Sequence, residues 1–286
     1  MKKFLSFLSI CAIVLLSACQ DDEDVAANTS GSFSIEFDNY VGDQALELEP
    51  AGSTDYRYTT GSGQVFNLST LRYYISGVRL EGPDGAVYED VMNVSANADE
   101  VTGYYLVQEG EADSHFISLQ DVPAGEYDKI TFILGIPEEG MNGGAGGGIL
   151  DPAAGAWFWN WNAGYINLGM EGTAAASPQE RVERDGFVTE AHSFALHVGG
   201  WKEVDSSVPN SERFVNNIKT VTLDFGSRVT VSADLTPEAH IVFDMLRILD
   251  GAGVDFSQTY AVHAPKLGQP LAEQIPTAFI LDHVHQ

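Results

Sequence analysis

Short segments of alternating apolar and polar residues recur along most of this chain. In the first of them Phe33, Ile35 and Phe37 fall on one face, while serine, glutamate and aspartate side chains fall on the other. Period-two alternation of this kind is typical of a half-buried β-strand. The same pattern predicts further strands at 64–68, 71–80, 104–107, 115–119, 129–135, 191–198, 218–225, 228–233 and 277–281.

Turn-forming residues separate these segments. The stretches Gly82–Gly85 and Pro123–Gly125 combine glycine with proline, residues that favour turns over strands. Many short strands punctuated in this way are the pattern of two packed sheets. We therefore predict an all-β fold, an antiparallel β-sandwich with long loops, as a single domain over residues 33–286.

One segment departs from period two. Ile241, Met245 and Leu249 recur at helical spacing, and Pro237 stands where a helix can begin. This spacing predicts one short crossover helix packed on the sandwich. His240 would then lie in the first turn of that helix and face solvent.

The chain begins with the features of a bacterial lipoprotein leader. Lys2 and Lys3 precede an apolar stretch, 4–16, that is too short to anchor a protein across a bilayer. The stretch runs into Leu-Ser-Ala-Cys, which resembles the lipobox, where the cysteine becomes the lipidated first residue. We predict a signal peptide over residues 1–18 and attachment to a membrane through a lipid at Cys19.

An acidic run follows Cys19, within a predicted flexible tether over residues 19–32. Four acidic residues stand between Gln20 and Val25. A solvated linker is one interpretation of such a run. The run also resembles the lipoprotein export signal of Bacteroidota, which implies that the protein is anchored to the outer membrane and exposed at the cell surface.

Cysteine usage restricts both stability and chemistry. Cys11 would be removed with the signal peptide, so Cys19 would be the one cysteine of the mature chain. An intrachain disulfide, a thiolate metal site and a cysteine nucleophile are then excluded. The domain must rely on its core, for which 44% hydrophobic and 10% aromatic residues suffice.

The charge balance excludes one class of partner. The chain has 14 lysine and arginine residues against 41 aspartate and glutamate residues, a formal net charge of −27. A protein that binds a polyanion needs a basic surface to release the counterions. Nucleic acid is therefore not expected to be a partner.

Four histidines stand where strands could bring metal ligands together. His283 and His285 are one residue apart, so on a strand both imidazoles point the same way and can reach one ion at about 2 Å. His197 and His263 each end an alternating segment. A site built from these four would be all-imidazole, which suits copper, zinc or nickel. The alternative is that they are structural histidines.

Three of the four tryptophans fall within five residues. If this segment is extended, Trp157, Trp159 and Trp161 share one face. Such a strip can be a core strand of the sandwich. With Asn160 and Asn162 beside it, it can also form a carbohydrate platform or the wall of a metal site.

Five blocks of sequence, in order along the chain, resemble the MbnP family. Together they extend over about residues 33–286. The blocks are Leu71–Leu80 with Asp84 and Gly85; Val122–Tyr127 running to Leu134–Pro137; Trp159–Trp161 with Gly164, Tyr165, Glu171 and Gly172; Phe194–Gly199; and His283–His285.

The resemblance implies an all-β fold that binds copper through histidines. In some members a di-haem peroxidase-like partner oxidises a tryptophan to kynurenine, which helps to form the site. The positions that match are His197, His283 and His285 as ligands, with Trp159 or Trp161 as the candidate for oxidation. The best-known members also carry a four-cysteine motif, which this chain lacks.

We accordingly expect a non-enzymatic copper-binding lipoprotein of the cell envelope that captures or delivers copper. The sequence contains no nucleophile elbow, His-Glu helix motif or specific carboxylate pair that would indicate an enzyme. The alternative from another class is a surface module that binds a glycan or a protein through the tryptophan-rich strip.

Overall fold

The computed structural model of this chain describes residues 30–142 and 146–286. The predicted signal peptide, Cys19 and most of the predicted tether lie outside these residues. The strands are β1 (Ser30–Val41), β2 (Gln44–Ala45), β3 (Tyr58–Thr59), β4 (Val65–Glu81), β5 (Val87–Glu89), β6 (Tyr104–Gln108), β7 (Phe116–Pro123), β8 (Gly125–Leu134), β9 (Phe158–Asn160), β10 (Gly164–Ala174), β11 (Val182–Arg184), β12 (Phe187–Thr189), β13 (Ser193–Gly199), β14 (Lys219–Val231), β15 (Glu238–Asp244), β16 (Ala261–Val262) and β17 (Phe279–His285).

Helices are short and lie mostly in the last third of the chain. They are α1 (Glu138–Asn142), α2 (Met245–Gly251), α3 (Pro265–Ala272) and α4 (Ile275–Ala278). Single 3₁₀ turns occur at Pro83–Gly85, Ala98–Glu100, Ala112–His115, Gly148–Leu150, Pro152–Ala154 and Ser211–Arg213. Within the described ranges, none of the helices has the length and apolar character needed to cross a membrane.

Most strands belong to one of two sheets. Sheet A has the order β17-β15-β1-β2, and β7 also pairs with β1. Sheet B has the order β14-β8-β4-β10-β13-β16, with β3, β5 and β6 added to β4 and β9 added to β10. Most pairs are antiparallel, but β1 runs parallel to β15 and β13 parallel to β16.

Aromatic side chains from the two sheets meet in the core. The ring of Phe37 in β1 lies 6.0 Å from Tyr73 and 5.8 Å from Phe132, edge-on to both. Phe33 stacks on Phe225 of β14 at 5.7 Å. Ile35, between them on the same face, is fully buried. The alternation of the first strand therefore does set its core face, and the predicted all-β sandwich is confirmed.

The segment predicted as a single helix is a strand followed by a helix. Residues 238–244 form β15, which pairs with β1 on one side and β17 on the other. The chain becomes helical only after Asp244, whose carboxylate accepts a hydrogen bond from the Leu246 amide at 3.0 Å. The helix prediction is therefore wrong for residues 238–244. Ala239, Ile241 and Phe243 are every second residue and are all buried, and hydrogen bonding to a strand on each side favours the extended conformation.

Four further differences concern the strands. The predicted strands at 64–68 and 71–80 form the single strand β4, and those at 218–225 and 228–233 form β14. Strand β1 begins at Ser30, inside the predicted tether, where it pairs with Pro123. Strand β10, in the middle of sheet B, was not predicted at all.

Candidate metal site at the edge of sheet B

Two of the predicted histidines meet beside the last strand of sheet B. Leu196 of β13 pairs with Val262 of β16, so the residues that follow, His197 and His263, lie next to each other. The two Nδ1 atoms are 3.3 Å apart. His197 is buried, with only 9% of its surface exposed. We call this group, together with Glu171 and Trp157, the edge cluster.

A carboxylate holds the far side of the His197 ring. Glu171 lies on β10, the strand beside β13, and its Oε1 is 2.8 Å from His197 Nε2. A hydrogen on Nε2 donates to this carboxylate, and the lone pair of Nδ1 is then directed towards His263. Histidine ligands of metal ions are usually oriented by such a carboxylate. Glu171 therefore prepares His197 Nδ1 to act as a ligand.

An indole ring packs against His197. The ring centroid of Trp157 lies 5.1 Å from that of His197. Gly169 faces His197 across the β10–β13 pair, and a Cβ there would stand 2.5 Å from the Trp157 ring. The glycine therefore makes room for the indole. Arg72, which faces Gly169 from β4, places its guanidinium 4.6 Å from the indole centroid, a cation–π contact.

The protonation of His263 favours metal binding. Partial burial of its ring lowers its pKa below the ordinary value, and the neighbouring His197 lowers it further, although Glu171 acts in the opposite direction. A neutral imidazole is the form that binds metal ions. The remaining surface of His263 is exposed, so an ion can approach from solvent.

The spacing of the two nitrogens fits a metal ion. Imidazole nitrogens bind a first-row ion at about 2.0–2.1 Å, so two of them at a tetrahedral angle lie about 3.3 Å apart. The Nδ1 atoms of His197 and His263 have this separation. Both residues line an open cleft of about 300 Å³, which leaves space for a further ligand. Imidazole ligands suit copper, zinc and nickel among first-row ions.

The other two predicted ligands lie elsewhere. His283 and His285 are on β17, the outer strand of sheet A, whereas His197 and His263 are at the edge of sheet B. The four histidines therefore form two pairs in two sheets. His240, which was predicted to face solvent from a helix, lies on β15 beside β17, with its ring stacked 4.4 Å from that of His283.

The three tryptophans do not lie on one continuous strand. Strand β9 covers only Phe158–Asn160, and the tryptophan in contact with His197 is Trp157. That Trp159 or Trp161 is oxidised stays a prediction. Trp159 packs on Gly199, where a Cβ would approach its ring to 2.8 Å. Trp161 is 57% exposed. The side-chain oxygen of Asn160 accepts hydrogen bonds from the backbone amides of Asn162 and Ala163, so this side chain stabilises the turn.

Sequence reasoning missed the roles of Glu171 and Trp157. Glu171 lies within one of the blocks that resemble the MbnP family, but its position relative to His197 depends on the register between β10 and β13. The sequence feature that could have indicated the packing of Trp157 is Gly169, because a glycine in the middle of a strand often marks the close approach of another group. Neither role can be inferred from the sequence without knowing which strands pair.

Comparisons with known proteins point to one family. No protein of curated function matches the chain. A solved structure, MbnP from Methylosinus trichosporium, is similar over 77% of this chain and 77% of that one, with 14% identity and a TM-score of 0.45. The family model of MbnP matches residues 30–265. Because that match spans most of the chain, this protein belongs to the MbnP family.

Proposed function

We propose that this protein binds one copper ion at the edge cluster, through Nδ1 of His197 and Nδ1 of His263. The observation that carries the proposal is the 3.3 Å separation of these two nitrogens, with Glu171 hydrogen-bonded to the far side of His197. Both histidines fall within the part of the chain that the family model matches. Family membership supports a metal- or copper-associated role only in general terms, and the ligands are our proposal.

Each neighbour of the two ligands has a distinct effect on binding. Glu171 fixes the His197 ring, so little rotational freedom is lost when an ion binds. Trp157 keeps water away from the buried side of the ring and so lowers the local dielectric constant. The open cleft leaves the other side accessible, so that an ion can enter and leave. These features favour capture and transfer of copper over catalysis.

We further propose that the protein acts in the cell envelope. The predicted lipobox ending at Cys19 supports a lipid anchor, and the acidic residues after it support placement on the outer membrane, at the cell surface. The net charge of −27 would raise the local concentration of cations near such an anchored domain. Mass analysis of the protein from its native host tests the anchor, because a lipid at Cys19 adds a defined mass.

The copper site is tested by competition with a chromophoric chelator, in separate titrations with Cu⁺ and Cu²⁺. Removal of a residue that only orients a ligand typically costs about 10–100-fold in affinity. We therefore expect the double variant His197→Ala, His263→Ala to bind copper at the edge cluster at least about 100-fold more weakly.

His192→Asn is the matched control, because His192 is exposed and has a positive φ of 59° that asparagine tolerates. Within the described part of the chain, the hydrogen-bond partner of its Nδ1 is the Ser177 carbonyl, at 2.9 Å. If the double variant binds as many copper ions per chain as the wild type, with its fold intact by circular dichroism, the proposed site is wrong.

A further inference from the structure

We propose that the outer face of sheet A carries a second metal site, built from His240, His283 and His285, that takes a divalent first-row transition ion such as Zn²⁺ or Cu²⁺. We call these three residues the face cluster. The inference goes beyond the proposed function, because it concerns other residues on the other sheet. His283 and His285 lie after residue 265, where the family match ends.

The three imidazoles converge on a small volume. One ligand atom from each of them lies within 4.8 Å of the others. Nε2 of His283 is 3.0 Å from Nε2 of His285. Two nitrogens with that separation, each about 2.0–2.1 Å from one ion, subtend an angle of about 95° at the ion. This angle is within the range of tetrahedral and tetragonal sites.

A β-bulge makes this convergence possible. Ile241 pairs with Leu281, but the next pair is His240 with His283, so Asp282 is an extra residue in β17. Without the bulge, Asp282 would face His240 and His283 would point towards the core, because successive side chains on a strand alternate. The bulge places His283 and His285 on the same face as His240.

Carboxylates contact the Nδ1 atoms of His240 and His283. Nδ1 of His240 is 3.2 Å from Glu36 Oε2 and 3.4 Å from Asp38 Oδ2, both on the neighbouring strand β1. Nδ1 of His283 is 2.7 Å from Asp282 Oδ2. This is the arrangement in which a carboxylate orients an imidazole whose other nitrogen binds a metal ion. In both residues Nε2 is then the nitrogen left for a metal ion, and that of His283 lies 3.0 Å from His285 Nε2.

One of these nitrogens is buried without a partner. Nε2 of His240 forms no hydrogen bond within the described part of the chain, although it is shielded from solvent. Oε1 of Glu238 is 3.4 Å away but is not placed to accept a hydrogen bond. A buried polar atom without a partner costs free energy, which a bound ion would offset.

The donor set indicates the class of ion. Three imidazoles select transition ions over Ca²⁺ and Mg²⁺, which prefer oxygen ligands. The carboxylates of Glu36, Asp38 and Glu238 surround the histidines and offset the charge of a divalent ion. The edge cluster has one carboxylate in contact with its ligands and an aromatic cover, so the two sites differ in the ion that they favour.

The test is a zinc titration by competition with a chromophoric chelator, on the full chain. We expect the wild type to hold Zn²⁺ at the face cluster and the double variant His283→Ala, His285→Ala to bind it at least about 100-fold more weakly, since loss of a ligand costs more than loss of its orienting partner. The variant His240→Gln tests the third ligand, with thermal unfolding as the check on sheet A.

The variant His197→Ala, His263→Ala separates this inference from the proposed function. We expect it to lose copper at the edge cluster and to keep zinc at the face cluster with unchanged affinity. Zinc binding in the His283→Ala, His285→Ala variant equal to that of the wild type would overturn the second site and leave the copper proposal standing. A His197→Ala, His263→Ala variant that binds as many copper ions per chain as the wild type would overturn only the copper proposal.

Discussion

The edge cluster and the face cluster bring the same type of side chain together in different surroundings. In the edge cluster His197 is almost fully buried, with an indole on one side and one carboxylate at its far nitrogen. In the face cluster the side chain of His283 is 45% exposed, and carboxylates of β1, β15 and β17 lie around the rings. Because the neighbours of a histidine tune its affinity for a metal ion, we expect the two clusters to favour different ions.

The largest effect on zinc affinity is expected when His285 is moved to the opposite face of β17. Deletion of Val284 puts His285 directly after His283, so the two rings point to opposite sides of β17. We expect zinc affinity at the face cluster to fall at least about 100-fold, because one ligand is removed from the site. Copper binding at the edge cluster should not change, since that site lies on the other sheet.

Deletion of Asp282 is the matched control of equal length. It removes the bulge but leaves His283 opposite His240 and His285 opposite Glu238. We expect zinc binding to persist, about tenfold weaker because the carboxylate bonded to His283 Nδ1 is lost. If this deletion abolishes zinc binding as completely as the deletion of Val284, the role assigned to the bulge is wrong.

A smaller effect is expected from the carboxylate of the edge cluster. In Glu171→Gln an uncharged amide replaces the charged acceptor of His197 Nε2, so the ring is held less firmly. We expect copper affinity to drop about 10-fold. Glu190→Gln is the control, because Glu190 lines the same cleft but pairs with Arg181 at 3.5 Å. If the two substitutions lower copper affinity equally, the cause is the loss of negative charge in the cleft and not the loss of the contact with His197.

The smallest effect concerns the aromatic cover of the edge cluster. In Gly169→Ala the new methyl group would stand 2.5 Å from the Trp157 ring, so the indole must move away from His197. We expect copper affinity to fall severalfold and quenching of tryptophan fluorescence by Cu²⁺ to decrease. In the control Gly110→Ala the nearest atom is 3.9 Å away, an ordinary contact. An unaltered quenching curve in Gly169→Ala would show that the indole does not cover the ion.

Alternation predicted the strands that bury one face. Strand β1 follows it throughout, with Phe33, Ile35 and Phe37 in the core. Strand β10 was missed because it is buried on both faces, so its sequence does not alternate, and glycines interrupt it. Strand β15 was taken for a helix because its apolar residues continue into α2 at a spacing that fits both structures.

The candidate sites could be predicted only in part, for a related reason. The His-x-His pair and the two strand-end histidines could be recognised as potential ligands. The prediction grouped all four in one site, whereas the strands place them in two pairs on two sheets. His240 was expected to face solvent from the helix in which it was placed, with a role as a metal ligand as the alternative. Glu171 and Trp157 became recognisable only through the register of β10 against β13 and the space above Gly169.

The sequence by itself determined the all-β class, the core face of most strands, the resemblance to the MbnP family and the residue types able to bind a metal ion. These properties are local, because alternation and composition depend on residues that are near one another in the chain. Only the tertiary structure decided which histidines share a site. That choice depends on the pairing of strands far apart in sequence and on a one-residue bulge, and a shift of one residue turns a side chain to the opposite face of its sheet.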